Sequence, residues 1–435
     1  VFLTGEEEIL SAQESLESTA KKLGNRAREL IVAPIYAQMP PDLQAKVFDV
    51  TPPGSRKTIL STNIAETSVT VPGVKFVIDS GMVKEMSFQP STGISSLNTV
   101  PCSRASANQR AGRAGRTGPG KCFRLFPKWS FWNDLPATTP PEIQRVALDS
   151  TILLLKGLGI NDLLSFDFMD PPSADVVIKS LETLYSLSAL SVNGELTRLG
   201  RRLAELPLDP KLGATIIAAE KYGCVDEILS IVALMSESSS LFIRPKDKAL
   251  YADSARSRLS DPTGDMMSYL RIYNSWVESG YDPNWSQQNF IQQRTLTRAR
   301  DVRDQLEKMA YERLEIEPSS AGVDYLPIQK ALISGFAAHA CRLNRDGQSY
   351  QTVGRSGMQV WIHPSSALAK SEKKVKWMLY FELVRTSKEF ARSCTEIDPR
   401  LLAEIAPHLH KKEDIEKLGV DKKMPKGPGR VGIAA

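Results

Sequence analysis

The chain is poor in the residues that build metal centres and covalent staples. Its 435 residues hold five cysteines (Cys102, Cys122, Cys224, Cys341, Cys394) and four histidines. No C-x-x-C occurs and the histidines are scattered, so neither a zinc site nor any other metal site is expected. His408 and His410 stand near each other, but in a charged tail where solvation is the default. Thiols this dispersed fit a reduced, intracellular protein and not a disulfide scaffold. Long apolar runs are also missing: none approaches the ~20 residues of a membrane span. Charge of one sign is not in large excess, since 55 basic and 50 acidic residues leave +5, a mild lean toward polyanions. The apolar share of 42% and charged share of 24% are those of an ordinary globular protein. The length implies two to four domains.

The first residue is not Met, and no signal-peptide pattern follows it. Val1-Phe2-Leu3-Thr4-Gly5 reads as a buried strand closed by a glycine turn. The expectation is a chain that begins inside a domain, as a fragment or a processed product.

The most informative stretch is Gln109-Arg110-Ala111-Gly112-Arg113-Ala114-Gly115-Arg116. Arginines recur every third residue, and a glycine directly precedes two of them. On a helix that spacing spreads the guanidinium groups through an arc of roughly 120°. The glycines remove bulk where the arginines emerge, so a phosphate or another domain can come close. Guanidinium is permanently charged and forks onto two phosphate oxygens. Two readings fit: an arginine-finger element for a nucleoside triphosphate, or a flexible Arg/Gly segment on RNA backbone.

Residues 1–135 alternate strand and helix signals: strands at 1–3, 30–35, 57–60 and 74–79, and a helix over 6–23 with Ile9, Leu16 and Leu23 in phase. That alternation implies a parallel sheet covered by helices, with ligands beyond the carboxyl ends of the strands. Residues 61–70 follow one strand, and residues 109–116 open a later helix. Residues 82–100 read as a β-hairpin. After Thr138 a helix is expected from Pro140-Pro141-Glu142 to about Leu158, another over 174–187, then a hairpin at 189–196 with an Asn193-Gly194 type I′ turn. A winged-helix module and an arbitrary helical subdomain suit that order equally. Residues 208–314 are helical, with one long amphipathic stretch over 211–235 and a stripe of Ala299, Val302, Leu306 and Met309. Arg294, Arg298, Arg300 and Arg303 beside it form a solvated face or line an RNA path. Residues 325–395 return to β character and fit a small barrel of the OB type, with Trp361, Trp377, Tyr380 and Phe381 as core or stacking groups. The tail after His410 is rich in Lys, Gly and Pro and is expected to be flexible.

Three segments then line up with one family. Residues 1–5, Ser61-Thr62-Asn63-Ile64-Ala65-Glu66-Thr67-Ser68 and residues 109–116 resemble motifs IV, V and VI of DEAH-box RNA helicases of superfamily two, in order and spacing. Pro207-Leu208-Asp209-Pro210, Gly264-Asp265-Met266, Asn289-Phe290, His363-Pro364-Ser365-Ser366 and Glu382-Leu383-Val384-Arg385-Thr386-Ser387-Lys388-Glu389 match further downstream. The resemblance covers about residues 1–410. The stretch from Arg244-Pro245-Lys246-Asp247-Lys248 through Trp276 looks most like the spliceosomal member acting before the first transesterification. Splicing and ribosome-biogenesis relatives share most of these motifs.

The resemblance implies a multidomain chain of α/β, α and β parts. These are a second RecA-like domain with a parallel sheet (1–137), a winged helix (138–206), a ratchet-like helical bundle (207–315), an OB-fold (316–410) and a basic tail (411–435). It implies that Arg113 and Arg116 are fingers on the γ-phosphate of ATP, and that Gln109 helps hold phosphate or the attacking water. Arg110, off that face, serves structure or a domain interface. Phe48 matches the position that stacks adenine, although read by itself it fits a core residue equally well. Thr70 lies near the ribose. Thr62, Asn63, Thr67 and Ser68, with Arg385 and Lys388, are implied to contact single-stranded RNA without reading bases. The hairpin at 82–100 is implied to wedge or gate the RNA. Implied partners are pre-mRNA and other spliceosome components, the chain's own N-terminal RecA-like domain and a G-patch activator protein, with no membrane; the implied location is nuclear. Pro72 stands where the family usually carries an acidic residue, and Leu259 where it carries an aromatic.

A helicase also needs a phosphate loop, G-x-x-x-x-G-K-[ST]. Gly118-Pro119-Gly120-Lys121-Cys122 lacks its spacing and hydroxyl, and no Asp-Glu-Ala-His is present. The expectation is that these residues are the C-terminal half of a longer helicase, inactive alone, with the ligands for Mg²⁺ on the N-terminal part. The alternative is a non-catalytic RNA-binding scaffold that keeps the architecture.

Overall fold

The structure, a computed structural model, describes residues 1–419 apart from 38, 40, 238–240, 355–356, 372–373 and 386–387. Thr386 and Ser387 of the last motif, and the tail from 420 on, lie outside the described residues. Two compact units emerge, one of Val1–Phe88 with Ser95–Val146, the other of Gln89–Ile94 with the chain from Ala147 onward.

The first unit runs α1 (Glu6–Leu23), β1 (Leu30–Ile35), α2 (Pro41–Ala45), β2 (Arg56–Ser61), α3 (Ile64–Thr67), β3 (Phe76–Asp79), β4 (Met82–Gln89), β5 (Ile94–Pro101), α4 (Arg104–Gly112), β6 (Lys121–Arg124) and α5 (Lys128–Asn133). Strands β1 and β2 pair in parallel, as do β3 and β6. Phe2 joins the two pairs by parallel bridges to Ser61 and Asp79. Its N–H donates to the Ile78 carbonyl at 2.9 Å, and Leu3 N–H to Ser61 at 2.8 Å. The strand expected at 1–3 is therefore one ladder residue in the middle of a parallel sheet. Glu6, Glu7 and Glu8 in the first turn of α1 and Lys21 and Lys22 in its last complement the helix dipole. Of its expected apolar stripe, Ile9 is buried, Leu16 half-buried and Leu23 exposed. β4 and β5 form the expected hairpin, turned by Gly93 at φ 70°.

The single helix expected over 140–158 is broken. A 3₁₀ turn at Glu142–Gln144 is followed by α6 (Asp149–Gly157). The Arg145 carbonyl accepts the Phe88 N–H at 2.8 Å and is unavailable to a continuous helix.

The second unit begins with α6, α7 (Ala174–Ser186) and α8 (Arg198–Ala204), with a small wing between the last two. The wing is a Leu190–Leu196 bridge. Positive φ falls at Gly194 (76°) and not at Asn193, so the turn is not the expected type I′; Ser191 accepts from Gly194 N–H at 2.9 Å.

The bundle follows: α9 (Pro210–Tyr222), α10 (Val225–Glu237), α11 (Ala249–Leu259), α12 (Asp265–Glu278), α13 (Pro283–Gln288), α14 (Gln293–Lys308) and α15 (Tyr325–Phe336). Three helix starts share one device. Asp209, Asp282 and Asp398 each cap an N-terminus whose next residue is proline. The stretch expected as one helix over 211–235 is two, because Gly223 takes a left-handed cap at φ 69°. α10 is buried nearly all round and is the centre of the bundle. Three of the four arginines of α14 are engaged: Arg303 with Ser230, Asp226 and Glu307, Arg298 with Glu237, Arg300 with Asp301. The fourth, Arg294, has its Nη1 buried without a hydrogen-bond partner among the described residues.

β character starts later than expected, since Tyr325–Phe336 is the helix α15. Asp324 caps it through Leu326 N–H at 3.0 Å, and Pro327 sits in the first turn, where its missing N–H costs nothing. Gly335 lets α15 lie flush on α9: a Cβ there would stand 2.3 Å from the Lys211 carbonyl.

Seven strands complete the OB-type domain: β7 (Ala340–Leu343), β8 (Tyr350–Thr352), β9 (Gln359–Ile362), β10 (Trp377–Leu379), β11 (Glu382–Arg385), β12 (Glu389–Arg392) and β13 (Thr395–Glu396). Their order is β11-β12-β9-β8-β7-β10-β13. Trp377 and Tyr380 are core; Trp361 and Phe381 are half-buried. Asp265, at the start of α12, ties the bundle to this sheet. Its carboxylate accepts from Ser366 Oγ at 2.5 Å, Ala367 N–H at 2.7 Å and Cys394 N–H at 2.8 Å. The Gly264-Asp265-Met266 and His363-Pro364-Ser365-Ser366 segments thus meet. α16 (Pro399–Ile405) and α17 (Lys412–Gly419) end the described chain. The expected flexible tail over 411–435 is corrected at its start: 412–419 is helical, and Ile415 is buried.

His339 supplies a pH dependence. Its ring stacks on Tyr380 at 4.7 Å, and Nδ1 meets the Tyr380 and Phe381 carbonyls at 3.3 and 3.1 Å. Removal from water, then the Lys211 charge, lowers its pKa from 6.5 to about 4. Between those values the unfolded chain binds a proton that the folded one does not, so stability falls as pH drops through that window. Because His339 is only half-buried, the loss is about 2 kcal/mol. Urea unfolding at pH 7.5 and 4.5 should show wild type losing that much more than His339→Gln; equal losses would contradict it.

Candidate functional site

The arginine octapeptide closes a helix instead of opening one. Ser103 caps α4 by accepting from Ser106 N–H at 3.0 Å, α4 ends at Gly112, and a 3₁₀ turn covers Arg113–Gly115. Glycine is a poor helix former, which loosens the helix at this point. Gly120 lets the chain return under that turn, since a Cβ there would lie 2.1 Å from the Ala114 carbonyl. Gly112 and Gly115 face open space.

The three arginines have separate fates. Arg110 is 1% exposed. Its Nη1 donates to Asp79 Oδ1 at 2.8 Å and to the Met82 carbonyl at 3.2 Å, and its Nε to Glu66 Oε2 at 3.0 Å. The Phe2 ring lies 5.1 Å from its guanidinium. Burial opposes its charge, but the bonds and charges of Asp79 and Glu66 prevail, and its pKa is raised. Arg110 fastens the end of β3, the root of the hairpin and α3 to α4.

Arg113 is half-buried and Arg116 exposed. Arg113 donates to the carbonyls of Glu66 and Val69, and Arg116 to Thr70 Oγ1. Among the described residues neither forms an ion pair. Burial and then the neighbouring Arg116 charge lower the pKa of Arg113. The Glu66 charge opposes that shift in part. Two cations thus share one rim with no carboxylate within ion-pair distance among the described residues, in an arrangement that suits a multivalent anion.

The loop that they touch follows β2, at the carboxyl end of the parallel sheet. Thr62 is half-buried; Asn63, Thr67, Ser68 and Thr70 are exposed. Asn63 occupies the N-cap position of α3 without spending its side chain on the cap. Gln109 is exposed, one turn before Arg113 on α4. The structure therefore gathers Arg113 and Arg116 onto the loop that carries the polar candidates. Phe48 lies apart, on the 3₁₀ turn Lys46–Phe48, and is 51% exposed while Val47 fills the core. Phe48 is therefore not a core residue. In the second unit Arg385 is exposed beside Glu389 at 3.5 Å, and Lys388 Nζ sits 4.6 Å over the Trp361 ring.

Sequence reading missed Glu66 and Asp79, the two carboxylates that hold Arg110. The available signal was an acid inside a short polar loop, Glu66, five residues after the end of β2, and an acid closing an apolar strand, Asp79 at the end of β3.

The five cysteines are free thiols. Among the described residues no cluster of His, Cys, Asp and Glu is suited to a metal ion, and no helix is long and apolar enough to cross a membrane.

Comparison with protein families gives four matches in chain order. Residues 6–118 match the helicase conserved C-terminal domain. Residues 180–208 match the winged-helix part and residues 209–269 the ratchet-like part of the helicase-associated domain. Residues 328–409 match the oligonucleotide/oligosaccharide-binding (OB) fold. RecA-like domain, winged helix, ratchet-like domain and OB-fold are therefore all present, and the chain is the C-terminal part of a nucleic-acid-binding helicase of the DEAH/RHA type.

Proposed function

We propose that this chain supplies one half of the ATP site and most of the RNA path of an ATP-dependent RNA helicase that translocates on single-stranded RNA and remodels the spliceosome during pre-mRNA splicing in the nucleus. The observation that carries the proposal is the pair Arg113 and Arg116, unneutralised, on a loop of exposed polar side chains. Their place on the loop at the carboxyl end of the parallel sheet, where nucleotides bind, favours charge developing on a transferring phosphoryl group over the RNA backbone that a scaffold would offer. Arg113 and Arg116 would hold the γ-phosphate, Gln109 the phosphate or attacking water, Thr70 the ribose and Phe48 the adenine. The open space at Gly112 and Gly115 and the uncompensated charge fit ATP or ADP. Mg²⁺ would be held by carboxylates of the P-loop-bearing part. Thr62, Asn63, Thr67, Ser68, Arg385 and Lys388 would contact RNA backbone, which fixes position without reading sequence.

The splicing assignment rests on the motif set and the stretch from Arg244 to Trp276. A G-patch activator would bind the winged helix and the OB-fold, as the family resemblance implies; Leu158, Leu164 and Met169 are exposed apolar side chains in the winged-helix region. One experiment tests these claims together. RNA-stimulated ATPase is measured for the chain alone, with a DEAH-box N-terminal RecA-like domain, and with a G-patch segment added. Activity only in the mixture, raised further by the G-patch segment, is expected. Robust activity of the chain alone, or none in any mixture, would overturn the proposal.

A further inference from the structure

Glu66 stands among the exposed polar side chains of the 61–68 loop but turns inward, its side chain 12% exposed. Both carboxylate oxygens are taken by α4: Oε1 accepts from Ser106 Oγ, and Oε2 from Arg110 Nε at 3.0 Å. The backbone carbonyl of the same residue accepts from Arg113 Nη2. One residue is therefore gripped by the middle of α4 and in turn seats the first side chain beyond its end. The surrounding helix α3 spans four residues and has no side-chain cap. A single turn does not hold itself in water. Its place depends on the Glu66 grip and on the packing of Ile64 and Ala65 in two small apolar clusters. The same turn carries Thr67, with Asn63 before it and Ser68 after it.

We propose that Glu66 is a positioning residue: its carboxylate, held by Ser106 and Arg110, sets the carbonyl on which Arg113 rests, and so links the phosphate contact to the RNA contacts of Asn63, Thr67 and Ser68. This rests on the reading of Arg113 as a phosphate-binding residue. A phosphate that draws Arg113 away takes a donor from the Glu66 and Val69 carbonyls, and the short turn bearing the RNA contacts responds. By linkage, RNA that shifts the turn changes the seat of Arg113.

The test is steady-state ATPase of the chain joined to its P-loop-bearing part, with and without single-stranded RNA. Glu66→Ala is expected to lower RNA stimulation of kcat about tenfold, within the range typical of coupling between sites. Glu66→Gln should restore most of it, because the amide oxygen accepts from Arg110 while its N–H donates to Ser106 Oγ. Wild-type stimulation in Glu66→Ala, or a Gln variant as poor as the Ala one, would overturn the proposal. If Glu66→Ala does not fold, Ser106→Ala removes one donor and leaves the buried ion pair. A loss of about threefold is then expected from one hydrogen bond, and unchanged stimulation overturns the proposal. Arg113→Ala in the same assay separates the two readings. Wild-type turnover there sinks the assignment of the phosphate site itself, whereas an inactive Arg113→Ala beside an unaffected Glu66→Ala sinks only the positioning role.

Discussion

Arg113→Ala, assayed with the P-loop-bearing part in place, is expected to lower ATP turnover by on the order of 10³-fold, the lower end of arginine-finger effects. The expectation follows from what the side chain does and does not touch. Its bonds go to two backbone carbonyls, Glu66 and Val69, and none to a carboxylate. Removing it leaves no buried charge behind, so folding stability should change by no more than about 0.5 kcal/mol. Arg116, exposed and bonded to Thr70, should behave alike. A large kinetic loss with an unchanged melting profile is the signature of a group that acts on the transferring phosphate. A loss of activity that merely tracked a loss of stability would contradict the assignment.

Arg110→Ala should do the reverse. It removes the donor to Asp79, a carboxylate 0% exposed whose Oδ2 has no hydrogen-bond partner among the described residues. It also breaks the bond to Glu66 and the cover over Phe2. Deleting one member of a buried ion pair costs about 3–5 kcal/mol because the other charge is left uncompensated. Against total stabilities of about 5–15 kcal/mol, that is enough to open the first unit at moderate temperature. Cys102 reports the opening. It is fully buried and its thiol is pushed up to about 11, first by burial, so it is inert in the folded unit. Thiol labelling located by mass spectrometry, with urea unfolding alongside, should show rapid modification of Cys102 in Arg110→Ala and slow modification in wild type and Arg113→Ala. Equal labelling in all three would refute the division of roles within the octapeptide.

That division was partly legible in the sequence. The family resemblance set Arg110 apart from the other two and implied a role in structure or a domain interface, but nothing local named Asp79 and Glu66 as its partners. They come from β3 and from the loop after β2, and only the parallel sheet brings them together. Strand β1 and helix α1 were readable because a sharp change of pattern bounds each, and Gly24 stops α1. Misses occurred where tertiary contacts or backbone chemistry outweigh pattern. Gly223 breaks an apolar run that looks continuous, because α9 needs a left-handed residue to turn into α10. Tyr325-Leu326-Pro327-Ile328 reads as β, yet Asp324 caps a helix that tolerates proline in its first turn. The octapeptide is expected to open a helix, where a parallel sheet places its ligands. In the fold, Ser103 begins that helix and the arginines arrive at its end. Motifs located the site well, and they located its supports poorly, since supports are inward-facing residues from distant segments.

The central claim is that Arg113 and Arg116 bind the charge that develops on a transferring phosphate. Its most direct test compares two ligands on the chain assembled with its P-loop-bearing part: ADP alone, and ADP with aluminium fluoride, which mimics that transferring group. Complementarity to the transition state predicts that Arg113→Ala/Arg116→Ala weakens binding of the fluoride complex at least about 100-fold while ADP alone changes by less than about threefold. An equal loss for both ligands, or no loss for either, would contradict the account.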